Sequence, residues 1–139
     1  MENVKFVADY RVYYEDTDAG GVVYYANYLK FFERARTDFL RSIGISQNEL
    51  SKSEKLLFVV KKCEVEYLSS AKLDDVISVE VEILKIGIAS LIINQKIHCN
   101  QNLTTKMLVE IVAIDAETHK PKRIPQNLKN LLIKSKPNV

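Results

Sequence analysis

Between Phe6 and Ile43 the apolar repeat of this chain changes period once, abruptly, and that change constrains what the chain can fold into. Phe6, Ala8, Tyr10, Val12 and Tyr14 fall on one side of an alternating run, with Lys5, Asp9 and Arg11 on the other. Side chains alternate across a strand, so the run up to Tyr14 predicts a strand with one buried face. Glu15 to Gly21 then holds three carboxylates and two glycines, the composition of a tight polar turn. From about Tyr25 the period becomes helical. Tyr28, Phe32, Ala35, Phe39 and Ile43 recur three or four apart, opposite Lys30, Arg34, Thr37 and Arg41. Gly44 is well placed to end a helix running from about Tyr25 to Ile43. Such a rod is about 30 Å long, and its wide, aromatic-rich apolar side requires a second layer to wrap it.

That layer is supplied downstream. After a polar stretch from Ile45 to Lys52, with Ser46 as a cap for one short helical turn, four strand-like runs follow: Leu56 to Leu68, Val76 to Ile86, Ser90 to Cys99 and Thr104 to Asp115. Gly87 and Asn100-Gln101-Asn102 mark turns between them. Consecutive strands with short joins pair antiparallel by default. The expected architecture is α+β: a five-stranded antiparallel sheet curled around a long helix inserted between its first two strands. A short C-terminal helix is expected from Gln126 to Ile133, where Leu128, Leu131 and Leu132 share a side. At 139 residues the chain fits one domain, 1–139, with a core of its own.

The acid turn is the chemical focus. The first turn of a helix offers unpaired N–H groups and a partial positive charge, which can hold negative charge developing on an oxygen. Asp18 is placed to face a carbonyl polarised by the amides near Tyr25 and Ala26, and Gly20 and Gly21 leave room for a ligand to approach. The alternative is that Asp16 and Asp18 only form the turn and cap the helix. A calcium loop starting at Asp16 fails at its twelfth position, Asn27, where a bidentate Glu is needed. There is no Gly-x-Ser-x-Gly elbow, P-loop or dinucleotide fingerprint. Cys63 and Cys99 match neither a disulfide framework nor a zinc pattern, and both sit on apolar strand faces, so burial is expected for both. His98 and Cys99 are strand neighbours and point to opposite faces; His119 sits in a turn.

The run Tyr-Tyr-Glu-Asp-Thr-Asp-Ala-Gly-Gly-Val-Val-Tyr, followed by Tyr28 and Glu33-Arg34-Ala35-Arg36, resembles the signature of hotdog-fold acyl-CoA thioesterases. The resemblance is to the Tol-Pal-associated branch of the 4-hydroxybenzoyl-CoA thioesterase family. It continues through Phe58 to Lys62, Val65-Glu66-Tyr67, Leu73-Asp74-Asp75 and Lys120 to Pro125. It implies hydrolysis of acyl-CoA to free acid and coenzyme A without cofactor or metal. Asp18 then matches the catalytic carboxylate, and Tyr14 and Tyr25 match residues lining the site. Many members of the branch carry histidine where this chain has Tyr25, which leaves its backbone amide, with that of Ala26, as the polarising group. The family joins two protomers edge to edge with sites at the interface, and dimers often pair into tetramers. Hotdog dehydratases use a histidine, and neither histidine here lies near the helix entry.

Charge narrows the partners. Twenty basic residues against 18 acidic give a formal net charge of +2, too weak a field to argue for nucleic acid. No apolar run reaches membrane-spanning length and no basic-then-apolar leader opens the sequence, so a cytoplasmic location without a transmembrane segment is expected. Lys61, Lys62 and Lys85 are candidates for coenzyme A phosphate contacts. From Ala116 onward six basic residues, Lys120, Lys122, Arg123, Lys129, Lys134 and Lys136, face Glu117 alone. That segment is either a solvated terminal helix or a docking surface for coenzyme A phosphates, lipid headgroups or an acyl carrier protein. Glu33 and Arg36 pair either along the helix or between subunits. The competing reading from another class is a noncatalytic acyl-binding or envelope scaffold protein on the same fold.

Overall fold

The computed structural model describes residues 5–135; Lys136 of the basic C-terminal segment lies outside the described residues. In chain order the elements are β1 (Phe6–Arg11), α1 (Asn27–Ser42), α2 (Gln47–Glu49) continued by a π-helical stretch (Leu50–Glu54), β2 (Leu56–Tyr67), β3 (Val76–Ile86), β4 (Ser90–Cys99), β5 (Asn102–Asp115) and α3 (Gln126–Ser135). All strand pairs are antiparallel, and the sheet order is β1-β3-β4-β5-β2. Tight turns make β3, β4 and β5 neighbours, and the long excursion through α1 sends β1 and β2 to opposite edges.

Alternation places Ile77, Val79, Val81 and Ile83 of β3, Leu91, Ile93 and Ile97 of β4, and Met107, Val109, Ile111 and Ala113 of β5 in the core. They share it with Tyr28, Phe31, Phe32, Ala35, Phe39 and Leu40 of α1. Each fully buried large side chain of this kind contributes about 1.5–3 kcal/mol, so the helix is held by the layer it covers rather than by its own propensity. This is the α+β hotdog fold. Gly44 ends α1 at φ +90°, and the Ser46 side chain caps α2 by accepting from the Glu49 N–H. Leu128 and Leu132 bury the inner side of α3. Among the described residues no helix is long and apolar enough to cross a membrane.

Two expectations are corrected. The first strand ends at Arg11, not Tyr14, because the chain turns at Tyr14–Asp16, where the Asp16 carboxylate reaches back to accept from the Tyr13 N–H. Tyr14 is consequently 82% exposed. Cys63 is exposed while Cys99 is buried. Cys63 does lie opposite the buried Val109, on the helix side of the sheet. It belongs to an edge strand, however, and among the described residues nothing covers that edge there.

Tyr10 ties β1 to α1 by donating its hydroxyl to the Asp38 carboxylate. Burial, reinforced by that carboxylate, pushes the Tyr10 hydroxyl well above the ordinary tyrosine range. Above about pH 10 an unfolded tyrosine releases its proton while the folded one keeps it, so this link stabilises below that pH and fades as pH rises further. Tyr10→Phe is expected to cost about 1–2 kcal/mol in urea unfolding at neutral pH. The variant should also lose part of the alkaline decline in stability.

Candidate active site

The acid turn is a small hairpin. Thr17 and Val23 form an antiparallel bridge, the Asp18 N–H donates to the Val22 carbonyl (3.0 Å), and the Gly21 N–H returns to the Asp18 carbonyl (3.0 Å). The Asp18 carboxylate accepts from the Gly20 N–H through Oδ1 at 2.9 Å, which fixes its first torsions as an Asx turn. Gly21 has φ +77°, a conformation that costs little only for glycine. The hairpin docks on the loop before β3: Val22 bridges Lys72, and the Val23 N–H donates to the Ala71 carbonyl at 2.9 Å. Ala71 in turn donates its N–H to the Tyr28 hydroxyl of α1 at 3.0 Å, so loop, hairpin and helix form one connected unit.

The two aspartates, equivalent in sequence, separate here. Asp16 is 4% exposed and spends both oxygens internally, on the Tyr13 N–H and the Asn27 side-chain amide, each at 2.9 Å. Its backbone carbonyl also accepts from the Tyr24 N–H. It knots the end of β1 to the start of α1. Asp18 is exposed in the single chain, on the side of the hairpin that Asp16 does not use.

Helix α1 begins at Asn27, two residues later than the periodicity suggests. Its entrance is tightened by bonds from the Asn27, Tyr28 and Leu29 N–H groups to the carbonyls of Tyr24, Tyr25 and Ala26. Among the described residues the N–H groups of Tyr25 and Ala26 have no such acceptor, so the two amides singled out from the sequence remain available donors. The Tyr25 ring is 61% exposed, packs edge-on against Tyr67 (5.9 Å, 85°) and lies tilted against Tyr24 (5.0 Å, 48°). Tyr67 also meets the Tyr28 ring at 5.9 Å, and burial pushes its hydroxyl pKa up.

The structure therefore brings Asp18, Gly20, Gly21, Tyr25 and Ala26 to one end of the fold. Tyr14 joins them only through its carbonyl, which accepts from the Thr17 hydroxyl. Lys61 and Lys62 lie midway along β2, at a bulge, and Lys62 is near Glu64 (3.4 Å). Lys85 lies at a bulge toward the far end of β3 from Val76, about 30 Å along the strand. Within one chain none of these three lysines reaches the hairpin. Lys72 is the lysine that does, and with Tyr67 it escaped notice because nothing in sequence ties either to residues about fifty positions away. Among the described residues no three His, Cys, Asp or Glu side chains gather to hold a metal ion.

A cavity of about 160 Å³ opens between α1 and the β2 side of the sheet. Phe39, Leu40, Phe58 and Ile93 line it, together with Glu33 and Arg36 of α1. Arg36 does not pair with Glu33. Its Nη1 donates to Oε1 of Gln95 on β4 at 2.9 Å, and the Gln95 amide donates to the Phe32 carbonyl at 3.0 Å. Glu33 instead accepts from the Thr37 hydroxyl at 3.4 Å. Burial pulls the Arg36 pKa down from the ordinary guanidinium value, against the opposing pull of Glu33.

Gly20 offers a direct check on the hairpin. A Cβ there would stand 3.3 Å from Asp18 Oδ1, so Gly20→Ala crowds the carboxylate. The variant is expected to lose turnover several-fold with thermal stability nearly unchanged, measured by thiol release and by calorimetry.

A family model described as the thioesterase-like superfamily matches residues 12–132. The chain is 44% identical over 119 residues to an acyl-CoA thioesterase, YbgC, of Haemophilus influenzae, covering 86% of this chain and 88% of that one. It is 42% identical over 129 residues to the acyl-CoA thioester hydrolase YbgC of Escherichia coli O6:H1, covering 92% and 96%. Among solved structures, a probable thioesterase from Bartonella henselae superposes with a TM-score of 0.81 at 37% identity, covering 89% of this chain and all of the other.

Proposed function

This chain belongs to the thioesterase-like superfamily, and on that premise we propose how it hydrolyses acyl-CoA thioesters. The chain is an acyl-CoA thioester hydrolase in which the hairpin and the mouth of α1 share the chemistry. Asp18 is the catalytic carboxylate, attacking the thioester carbonyl itself or activating the water that does. The Tyr25 and Ala26 amides hold the oxygen that becomes negative in the transition state, a contribution of about 10²–10³-fold for each such donor. In the first route a C–O bond forms to Asp18 as the C–S bond breaks, and water then hydrolyses the acyl–Asp18 anhydride to the free acid. In the second the water oxygen bonds the carbonyl carbon while Asp18 takes its proton. In both, coenzyme A leaves as a thiolate that is protonated by Asp18 or solvent. A thiolate is stable enough to leave unaided, so the reaction asks for no metal or cofactor. Gly20 and Gly21 give the thioester room, and Tyr14 orients the acyl group or Asp18.

The observation that carries the assignment is the pairing of an outward-facing Asp18 with uncommitted amides at the mouth of α1, on one rigid unit. An exposed carboxylate needs cover to work, and a second subunit supplies it. The free edge at β2, with Val59 and Val60 exposed, supports edge-to-edge pairing of two protomers, with dimers pairing into a homotetramer. The chain works as one hotdog domain in the cytoplasm, where two unpaired cysteines are stable. Lys61, Lys62 and Lys85 contact coenzyme A phosphates from across the subunit boundary, and the basic C-terminal segment receives an acyl carrier protein. The motif running from Tyr13 to Tyr24 supports membership of the Tol-Pal-associated branch. The noncatalytic scaffold reading rests on Tyr25 standing where many members of the branch carry histidine, and thiol release decides between the two.

The test is a panel of acyl-CoAs with free thiol recorded alongside binding. Saturable binding with no thiol released across the panel would refute the mechanism, and light scattering on the same sample reads the subunit number.

A further inference from the structure

We infer that the cavity between α1 and the β2 side of the sheet is an acyl-tail subsite in which Arg36 binds a carboxylate at the far end of the acyl group, making ω-carboxylated acyl-CoA thioesters the preferred substrates. The inference rests on the hydrolase reading and adds its substrate class.

Three observations converge. The first is the cavity's make-up: apolar walls from Phe39, Leu40, Phe58 and Ile93, with the Arg36 guanidinium and, turned toward Thr37, the Glu33 carboxylate on the α1 side. Such walls suit a methylene chain, and the guanidinium suits only what terminates it.

The second is the way Arg36 is held. It is half-buried, and its nearest fixed acceptor is the neutral oxygen of Gln95, a residue with no exposed surface. Among the described residues no carboxylate lies within ion-pair distance of it. Glu33, one turn earlier on the same helix, is exposed and engaged by Thr37. Its hydrogen-bonded partner is a neutral amide and Glu33 acts on it only from beyond ion-pair distance, so the half-buried charge is compensated less fully than in a hydrogen-bonded ion pair. A carboxylate entering the cavity would complete that compensation with two parallel N–H bonds.

The third is placement. Gln95 locks onto the Phe32 carbonyl, which sets the guanidinium beside that level of the helix. Phe32 lies about 10 Å along the helix axis from Tyr25, so an acyl group of medium length held at the Tyr25 amide reaches Arg36.

The test compares kcat/KM for adipoyl-CoA against hexanoyl-CoA and for suberoyl-CoA against octanoyl-CoA. An uncharged apolar pocket rejects the carboxylated member of each pair because burying the charge is costly. The wild-type protein is expected to favour it by about tenfold or more in at least one pair. Arg36→Met keeps the apolar stem and removes the charge, and should collapse that ratio; Arg36→Lys should leave an intermediate one. A wild-type preference for the methyl-ended member of both pairs overturns the inference without recourse to any variant, as does a ratio that Arg36→Met leaves in place. In either case hexanoyl-CoA turnover still upholds the hydrolase mechanism. If none of the four thioesters turns over, that mechanism fails first, and equilibrium titration of the same pairs decides the subsite on the same order of preference.

Discussion

Asp18→Asn is expected to lower kcat for acyl-CoA hydrolysis by about 10³-fold or more while the protein unfolds at the same temperature as wild type. The two halves of that expectation come from different atoms. Oδ1 accepts the Gly20 N–H, and the asparagine side-chain oxygen can accept the same bond in the same rotamer, so the hairpin keeps its shape. What the substitution removes is the negative charge and the basic lone pairs, which either route of attack needs. The loss should fall on kcat far more than on KM, because the carboxylate acts in the transition state rather than in holding coenzyme A. Thiol release under saturating substrate, with circular dichroism as the fold control, reads both. Turnover within a few-fold of wild type would remove Asp18 from the chemistry and leave the helix-mouth amides without a partner.

The parts of this protein that were legible in sequence are those governed by local pattern. Strands β3 and β4 begin and end at the residues their alternation marks, since Gly87 and the Asn100-Gln101-Asn102 turn bound runs whose inner faces are apolar but for Gln95. The inner side of α1 was equally clear from Tyr28, Phe32, Ala35 and Phe39. Long-range determinants were not legible. Tyr14 continues the alternation of β1, yet Asp16 pulls the chain into a turn by capping Tyr13, and no periodicity records that competition. Cys63 has the right parity for burial but lies on the sheet's free edge, which only the strand order reveals. Lys72 and Tyr67 reach the candidate site by strand pairing and ring contact with residues about fifty positions away. Arg36 read as pairing with Glu33, along the helix or between subunits; its bond to Gln95 depends on a polar residue buried in the middle of β4.

The opposite outcome is expected for the same substitution two residues earlier. Asp16→Asn should destabilise the protein by about 1–3 kcal/mol, read as a fall in the urea midpoint. Asp16 is buried and accepts at both oxygens, from the Tyr13 N–H and from the Asn27 side-chain amide. An asparagine accepts from the Tyr13 N–H through its one oxygen, and its NH2 group is matched only if the Asn27 amide turns over to present its own oxygen, so two bonds to a charged acceptor become neutral ones at best. Asp16→Ala leaves both donors unpaired and should cost more, because it orphans the groups that asparagine can still meet. The damage spreads along the unit that positions the site. Asn27 opens α1, and the neighbouring Tyr24 N–H bonds to the Asp16 carbonyl, so a loosened Asp16 frees the amides of Tyr25 and Ala26 from their present alignment. The pair of variants thus separates chemistry from scaffold: asparagine at 18 gives a stable protein that does not turn over, and asparagine at 16 gives an unstable one whose folded fraction, assayed in the cold, retains part of its activity. If the stability losses were equal at the two positions, the division of labour between the aspartates would be wrong.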